Sequence, residues 1–559
     1  MKYACTLRVL GPLSLGLSIG AAAQQLHPLA IPPALENVDT FQLYVDDHLH
    51  QFYPGVNTLT YGVNGDFLGP TLILHKGDTA RINVHNDLPE MTNMHWHGML
   101  VPGDMDGGPP REVMPGETWN VHYPVKNPAS TCWYHPHPHM QTTNQVTLGI
   151  AGMIIVRDEE EAALELPRTY GVDDLPVVIQ DRRYHGSGSF IPGPFGDSVL
   201  VNGIPDAYVD VPAQVVRLRL LNGCNARILE LGFNEDQPFH IIGSDGGLLP
   251  APVEATRVRL SNGERAEVLL DLSGLEGDSL DLISYGSELP PTMPGSNYIL
   301  WEYSYLSGID FRVLRLRVGA PTAEPVTTVP ATLVDIPGPQ LADVSRTRIK
   351  SLSGVGMVGM GTFYINGLLF DEDVVNDTVQ LGATELWTVE NASDIAHPFH
   401  MHGVSFRIIE RNFLPPPEWE RGPKDMALID MAENVKILVK FEERTDGWPF
   451  MYHCHNLLHE DNMMMLQFAV EEGSTGTVDE ADAGTLRVFP SPTTGPLRYE
   501  TPFAAEELLL CDMAGRRVLQ RTVRTAEQGE LDLHGLPPGA YVLQLRSGDR
   551  QARAVVVKE

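Results

Sequence analysis

The chain is short of thiols, of positive charge and of long apolar runs. Five cysteines in 559 residues are too few to staple a protein of this size, which excludes a disulfide scaffold. Lys and Arg number 39 against 72 Asp and Glu, a formal charge of −33. Nucleic acid, which binds by neutralisation of its phosphates, is therefore excluded as a partner. The acidity keeps the chain in solution and would draw cationic substrates towards it. Past the N-terminus no segment reaches the roughly 20 continuous apolar residues of a membrane helix, so no membrane span is expected in the mature chain.

The N-terminus itself has the order of an export signal. Lys2 and Arg8 are followed by an apolar run and then by Ala21-Ala22-Ala23, a small-residue cleavage site. The run is too short, and too broken by Gly and Pro, to serve as an anchor. Residues 1–23 are read as a signal peptide whose removal leaves 37 cationic side chains against 72 acidic ones, a formal charge of −35. Cys132, Cys224, Cys454 and Cys511 survive it.

Glycine and proline are plentiful, 52 and 44, while the apolar content of 43% is ordinary. Many short strands joined by turns are expected, hence an all-β chain, and the length implies three or four domains. One theme recurs three times: an alternating strand, a turn containing Asn, then a histidine cluster. The copies are ARINVHNDLPEMTNMHWHG (80–98), VRLRLLNGCNARILELGFNEDQPFHIIGSDGG (216–247) and ELWTVENASDIAHPFHMHG (385–403). Only the outer two end in His-X-His-Gly. Three related Greek-key sandwiches follow, over 27–160, 161–325 and 330–472, with the Pro-rich 321–340 as a join. An acidic linker at 473–484 leads to a small β unit at 485–559. That unit resembles the C-terminal sorting domain of type IX secretion cargo, through LRVFPSPTTGPL, LLLCDMAGRRVLQ and LHGLPPGAYVLQLRSGDRQARAVVVKE. The resemblance implies the type IX secretion machinery as a partner, with release or attachment at the cell surface.

Four histidine pairs carry the chemistry: His95 and His97, His135 and His137, His400 and His402, His453 and His455. In a strand, residues i and i+2 face the same way, so each pair aims two imidazoles into one space. Eight imidazoles exceed the four ligands of one structural zinc, so a cluster of ions is needed. Cys454 lies between His453 and His455, and the same alternation turns it to the opposite face. A thiolate, two histidines and a weak axial methionine suit a blue copper site. Here those are Cys454, His397, His459 and one of Met463, Met464 and Met465.

Together HWHG, HPH, HPFHMHG and HCHNLLHEDNMMM, in that order, resemble the multicopper oxidases, a likeness that covers most of residues 40–470. It implies three cupredoxin-like sandwiches and four coppers per chain. Carried over by motif, His397, Cys454, His459 and Met464 hold the type 1 copper, with Met463 and Met465 as packing. His95 and His400 hold the type 2 copper. His97, His135 and His455 hold one type 3 copper, and His137, His402 and His453 the other. Asp106 and Glu460 match acids that supply protons to the cluster. Asp425 matches an acid beside the type 1 site that receives a cation or a phenolic proton. The middle domain is a spacer without copper.

The family reaction joins four one-electron oxidations to the reduction of dioxygen to water, with electrons entering through the exposed edge of His459. The resemblance leans to the copper-efflux and bilirubin oxidase branches. The methionine-rich insert of the efflux branch is replaced by SLSGVGMVGMG (351–361), with only Met357 and Met360. We therefore expect a secreted laccase-like oxidase of phenols and aromatic amines, with cuprous or ferrous ions as further reductants. Cuprous oxidase, bilirubin oxidase and, from another class, a copper carrier are the alternatives. His139 is read as no ligand and Cys132 and Cys224 as buried free thiols, while Asn391-Ala-Ser matches a glycosylation sequon by chance as easily as by purpose.

Overall fold

The computed structural model describes residues 25–297, 304–356, 358–359, 361–472, 486–512, 517–547 and 550–558. The signal at 1–23, the linker at 473–484 and Met357 and Met360 lie outside the described residues. The chain divides into two compact units, to Glu471 and from Glu472.

The first unit holds three β-sandwiches. In the first, the sheet of Val56–Val63, Phe41–Tyr53, Thr79–Asn86 and Thr118–Pro124 faces the sheet of Ala34–Leu35, Thr71–His75, Gly152–Arg157 and Ser130–Tyr134. Alternation sends Leu43, Val45, Ile82, Val84 and Val121 into the shared core. The middle sandwich packs a six-stranded on a seven-stranded sheet, and the third packs two five-stranded sheets. Parallel pairs such as Phe41–Tyr53 with Thr79–Asn86 sit beside antiparallel ones, the mixture that Greek-key crossovers produce. One boundary is corrected. His27–Pro28 pairs with Ala207–Pro212 and so extends the middle sandwich, not the first. A two-residue strand carries no alternation from which this can be read.

The repeated asparagine has a repeated job. Asn86, Asn222 and Asn391 each end a central strand, and each is buried. In every copy the Oδ1 accepts the backbone N–H two residues on, from Leu88, Cys224 and Ser393. The Nδ2 donates to two carbonyls: Glu90 and Val113, Arg227 and Leu260, Ile395 and Ile429. A side-chain amide thus satisfies a buried turn that the ladder has left, and Asn391 is a structural residue rather than a surface sequon.

A buried ion-pair network of the middle sandwich reaches the first through the Thr131 hydroxyl. Glu267 bonds Arg217, Arg219 and the Thr131 hydroxyl, and Arg219 also bonds Asp174. All of these side chains lie below the surface, where a carboxylate is tolerated only when fully paired.

The second unit is one hydrogen-bonded sheet of Arg487–Phe489, Pro496–Asp512, Arg517–Asp532, Gly539–Ser547 and Arg550–Lys558. Its two longest strands break register between Glu500 and Glu507. Tyr499 and Leu497 before that break share one core with Leu508, Leu510, Leu543 and Leu545 after it.

Candidate metal centre

Strands of the third sandwich deal their side chains to two places. Phe399 pairs with Cys454, and His400 with His453, across the antiparallel strands His397–Met401 and Phe450–Cys454. Directly paired residues share a face. Phe399, Met401, Tyr452 and Cys454 therefore enter the core, while His400, His402 and His453 turn outwards against the first sandwich. There the bridge between His95 and His135 presents the histidines of HWHG and HPH.

On the core side, Cys454 Sγ lies 3.4 Å from His397 Nδ1 and 3.5 Å from His459 Nδ1. Met464 is buried in the same core cluster, whereas Met463 and Met465 pack round Phe370. Ser393, placed by Asn391, contacts His397 Nε2 at 2.8 Å and so turns Nδ1 to the thiol. Burial holds His397 down to about 3 and pushes the Cys454 thiol up. This is a neutral, dry donor set that becomes a thiolate site only with a cation in place.

On the other side the eight paired histidines are all buried, none more than 1% exposed. Carbonyl and carboxylate acceptors fix where their protons sit. Nδ1 of His95, His135, His400 and His453 meets the carbonyl of Asp106, Pro136, Asp425 and Cys454 at 2.9–3.1 Å. His402 Nδ1 meets Asp106 Oδ2 at 2.8 Å. Each of these rings carries its proton on Nδ1 and keeps a lone pair on Nε2. His97 is the reverse: its Nε2 meets Asp425 Oδ1 at 3.1 Å, and its Nδ1 points at His135 Nε2, 3.4 Å away. Burial holds His97, His135, His137, His400, His402 and His455 well below the usual imidazole range, and neighbouring rings add to this.

Lone pairs are thereby forced together. His402 Nε2 and His453 Nε2 face each other at 3.1 Å, and His137 Nε2 and His453 Nε2 at 3.3 Å. The Nε2 atoms of His95, His400 and His455 are buried with no partner among the described residues. Neutral acceptors held face to face repel unless cations lie between them. Three all-histidine groupings place their ligand atoms within 4.8 Å of one another, His95, His97 and His135; His95, His400 and His402; His137, His402 and His453; a fourth joins His97 and His400 to Asp425.

Asp106 is buried beside His95 and His402, and its Oδ1 has no hydrogen-bond partner among the described residues. Glu460 places one oxygen 3.3 Å from His137 Nδ1 and the other 3.3 Å from His453 Nδ1. Burial, reinforced by Asp461, holds its carboxyl well above the usual range, which favours its protonated form. Three expectations are corrected. Asp425 touches His97 and Arg265, on the side of the histidine cluster, rather than the thiol site. It precedes Met426, the strand partner of His400, and this register carries it to the cluster. His459 has no exposed edge: it is 1% exposed, with the Phe363 ring tilted against it at 4.3 Å and fully buried Val358 in the segment that precedes it. The middle sandwich is more than a spacer. Its Asn262 donates to the carbonyl of His455, and its Gly263 lies so close to that ring that a Cβ would meet it at 2.9 Å.

Sequence reasoning did not single out Arg265, Asn262 or Ser393, because none carries a ligand type. Gly98, of HWHG, was a usable signal. Its φ is +86°, and a Cβ there would stand 2.5 Å from Arg265 Nη2. His139 packs on Phe370 and joins no group of ligand atoms among the described residues. Cys132 and Cys224 are buried free thiols.

Comparison with known proteins gives two matches to multicopper oxidase family models, over residues 46–161 and 339–474. A multicopper oxidase of Staphylococcus haemolyticus is 34% identical over 431 residues, 75% of this chain and 86% of the relative. The chain belongs to the multicopper oxidase family. Multicopper oxidases are oxidoreductases, and the family implies copper, which the imidazole-rich cluster and the thiol flanked by two histidines suit. A laccase-like multicopper oxidase CueO of Ochrobactrum is 35% identical with a TM-score of 0.71, covering 79% of this chain and all of that one. A laccase of Pediococcus acidilactici, 33% identical, also has a TM-score of 0.71, with 80% and 94% covered. Cell division protein FtsP of Escherichia coli is 35% identical over 465 residues, 80% of this chain and 94% of that one. Residues 487–559 match a secretion system C-terminal sorting domain, which indicates type IX secretion and a surface or secreted location for this multicopper oxidase. No helix among the described residues is long and apolar enough to cross a membrane.

Proposed function

We propose that this multicopper oxidase is a laccase-like enzyme with four coppers, oxidising phenols and aromatic amines and reducing dioxygen to water. His397, Cys454, His459 and Met464 would hold the type 1 copper. His95 and His400 would hold the type 2 copper, with His97, His135 and His455 on one type 3 copper and His137, His402 and His453 on the other. Bound copper supplies one-electron oxidation at the first site and multi-electron reduction of dioxygen at the cluster.

One observation carries the reading. Cys454 sits between two imidazole Nδ1 atoms on one face of its strand, and its neighbours His453 and His455 enter the histidine cluster on the other. A few covalent bonds thus join the place where electrons enter to the place where they are used. The chain's acids complete the arrangement: Glu460, set between His137 and His453, and Asp106, whose Oδ1 has no hydrogen-bond partner among the described residues beside His95 and His402, would pass protons to the cluster. The short segment 351–361, with two methionines, supports phenols over specialised cuprous oxidation. The reductant hands over its electron across the cover on His459 formed by Phe363.

The test is oxygen uptake by the copper-loaded protein with a phenol, an aromatic amine, bilirubin, ferrous ion and cuprous ion in parallel. Phenols and amines should give the highest kcat/KM, and a panel dominated by cuprous ion would replace the laccase-like reading with a metal oxidase. The likeness to proteins named for cell division raises a role without oxidation. The complete donor set of this chain favours the oxidase, and a protein that takes up neither copper nor oxygen would favour the other. We also propose that the N-terminal signal and the C-terminal domain act in sequence to release or display the enzyme outside the cell. Deletion of residues 487–559 should retain active oxidase in the periplasm.

A further inference from the structure

Two acids are exchanged across the junction of the first and third sandwiches. Asp106, from the first, accepts His95 of its own sandwich on its carbonyl and His402 of the other on its carboxylate. Asp425, from the third, accepts His400 of its own sandwich on its carbonyl and His97 of the other on its carboxylate. The arrangement is a near two-fold exchange, broken in one respect. Asp106 Oδ1 has no hydrogen-bond partner among the described residues, whereas both oxygens of Asp425 are taken by Arg265 of the middle sandwich, at 2.7 and 2.6 Å.

Arg265 is 0% exposed at its side chain and uses its donors on all three sandwiches. Its Nε donates to the carbonyl of Thr131 at 2.9 Å, four residues before His135. Its Nη1 and Nη2 donate to the carbonyls of Gly263 and Asp245 as well as to Asp425. A planar fork filled in this way has one orientation, and it fixes the carboxylate it holds. Gly98 marks how closely the parts fit, since a Cβ there would stand 2.5 Å from Arg265 Nη2 and 2.8 Å from Asp425 Oδ2.

We propose that Arg265 and Asp425 form an interdomain positioning pair that keeps the proton of His97 on Nε2 and aims its Nδ1 lone pair into the cluster. Among the rings of the eight-histidine cluster whose protons are fixed, His97 alone presents Nδ1. Its proton acceptor is held by the one sandwich that supplies no ligand, so that sandwich completes the cluster from outside it. Loss of the pair frees His97 to place its proton on Nδ1, where it blocks the metal. The inference rests on the reading of the eight histidines as copper ligands. A failure of that reading is distinguishable, because the unaltered protein would then hold no copper at the cluster.

The test uses the full-length, copper-loaded protein. Copper per chain, copper retained against a chelator, and the blue absorption of the Cys454 thiolate are measured for Arg265→Met, Arg265→Lys, Asp425→Asn and Lys424→Met. Lys424 bonds Asp245 and Glu264 across the same seam, and its ammonium has no histidine partner among the described residues. Arg265→Met should keep the blue absorption, which reports an intact third sandwich, and hold cluster copper about 10- to 100-fold more weakly. Arg265→Lys, which can still reach one carboxylate oxygen, should recover part of that loss, and Lys424→Met should retain cluster copper as the unaltered protein does. Unchanged cluster copper in Arg265→Met, or an equal loss in Lys424→Met, would overturn the proposal. Where Arg265→Met yields no blue protein, Asp425→Asn decides: selective loss of cluster copper supports the pair, and full retention refutes it.

Discussion

Replacement of Asn391 by Ala should be the most damaging single change that touches no metal ligand in the third sandwich. The side chain makes two donations, to Ile395 and Ile429, and accepts the N–H of Ser393, all in a buried turn. Ala takes these bonds from the Ile429 carbonyl and the Ser393 N–H and leaves the Ile395 carbonyl with the Ser393 hydroxyl alone; at about 1–3 kcal/mol for each buried group, the loss is about 3 kcal/mol. With a urea dependence of roughly 2 kcal/mol per molar for a domain of this size, the midpoint of the third sandwich falls by about 1.5 M. The turn also places Ser393 against His397 Nε2, so the blue absorption of Asn391→Ala should shift, and Ser393→Ala should shift it with a smaller loss of stability. Asn222→Ala makes the same cut in the sandwich without ligands, so it should cost a similar amount and leave the blue absorption unchanged. A loss below about 1 kcal/mol in Asn391→Ala, or a spectral shift in Asn222→Ala, would refute the account of the repeated turn.

Further outcomes are expected at the site and away from it. Cys454→Ser should abolish the blue absorption and lower turnover by orders of magnitude, while copper remains at the histidine cluster; a variant with full turnover would disprove the relay. Glu460→Gln should lower kcat for oxygen reduction by about 10²- to 10⁴-fold, the usual worth of a positioned acid, with little change in KM for the phenol. Acid stability follows from Glu267. Burial alone would raise its carboxyl, yet Arg217 and Arg219 hold it down to about 2. A depressed carboxylate stabilises the fold above its ordinary range and loses that contribution as pH falls towards 2, a change of about 3 kcal/mol. Urea midpoints measured from pH 5 to pH 2 should therefore fall steadily, and Glu267→Gln, already weaker at pH 5, should show a flatter slope.

Much of this was legible because strand alternation and repeated motifs are local. His-Cys-His in a strand can only put its thiol opposite its imidazoles, and the core placement of Cys454 against the buried cluster of His453 and His455 follows from that alone. The Asn of each repeat was visible, but its use was not, since the carbonyls it holds, such as Val113 and Ile429, come from distant strands. Asp425 shows the limit most plainly. Its neighbours in sequence suggested the thiol site, and only the pairing of His400 with Met426 carries it to the other side of the strand. Arg265 carries no signal of its own, because its role arises from three sandwiches meeting at one guanidinium. The cover over His459 was missed for a similar reason: a short segment reads as an open site, yet Phe363 fills the space by packing on the ring.

The most direct test of the central claim joins metal analysis to oxygen consumption in one preparation. Close to four coppers per chain, the blue absorption of Cys454, and one dioxygen reduced to water for every four phenols oxidised are expected. One copper per chain with no oxygen uptake would contradict it and leave an electron carrier in place of an oxidase.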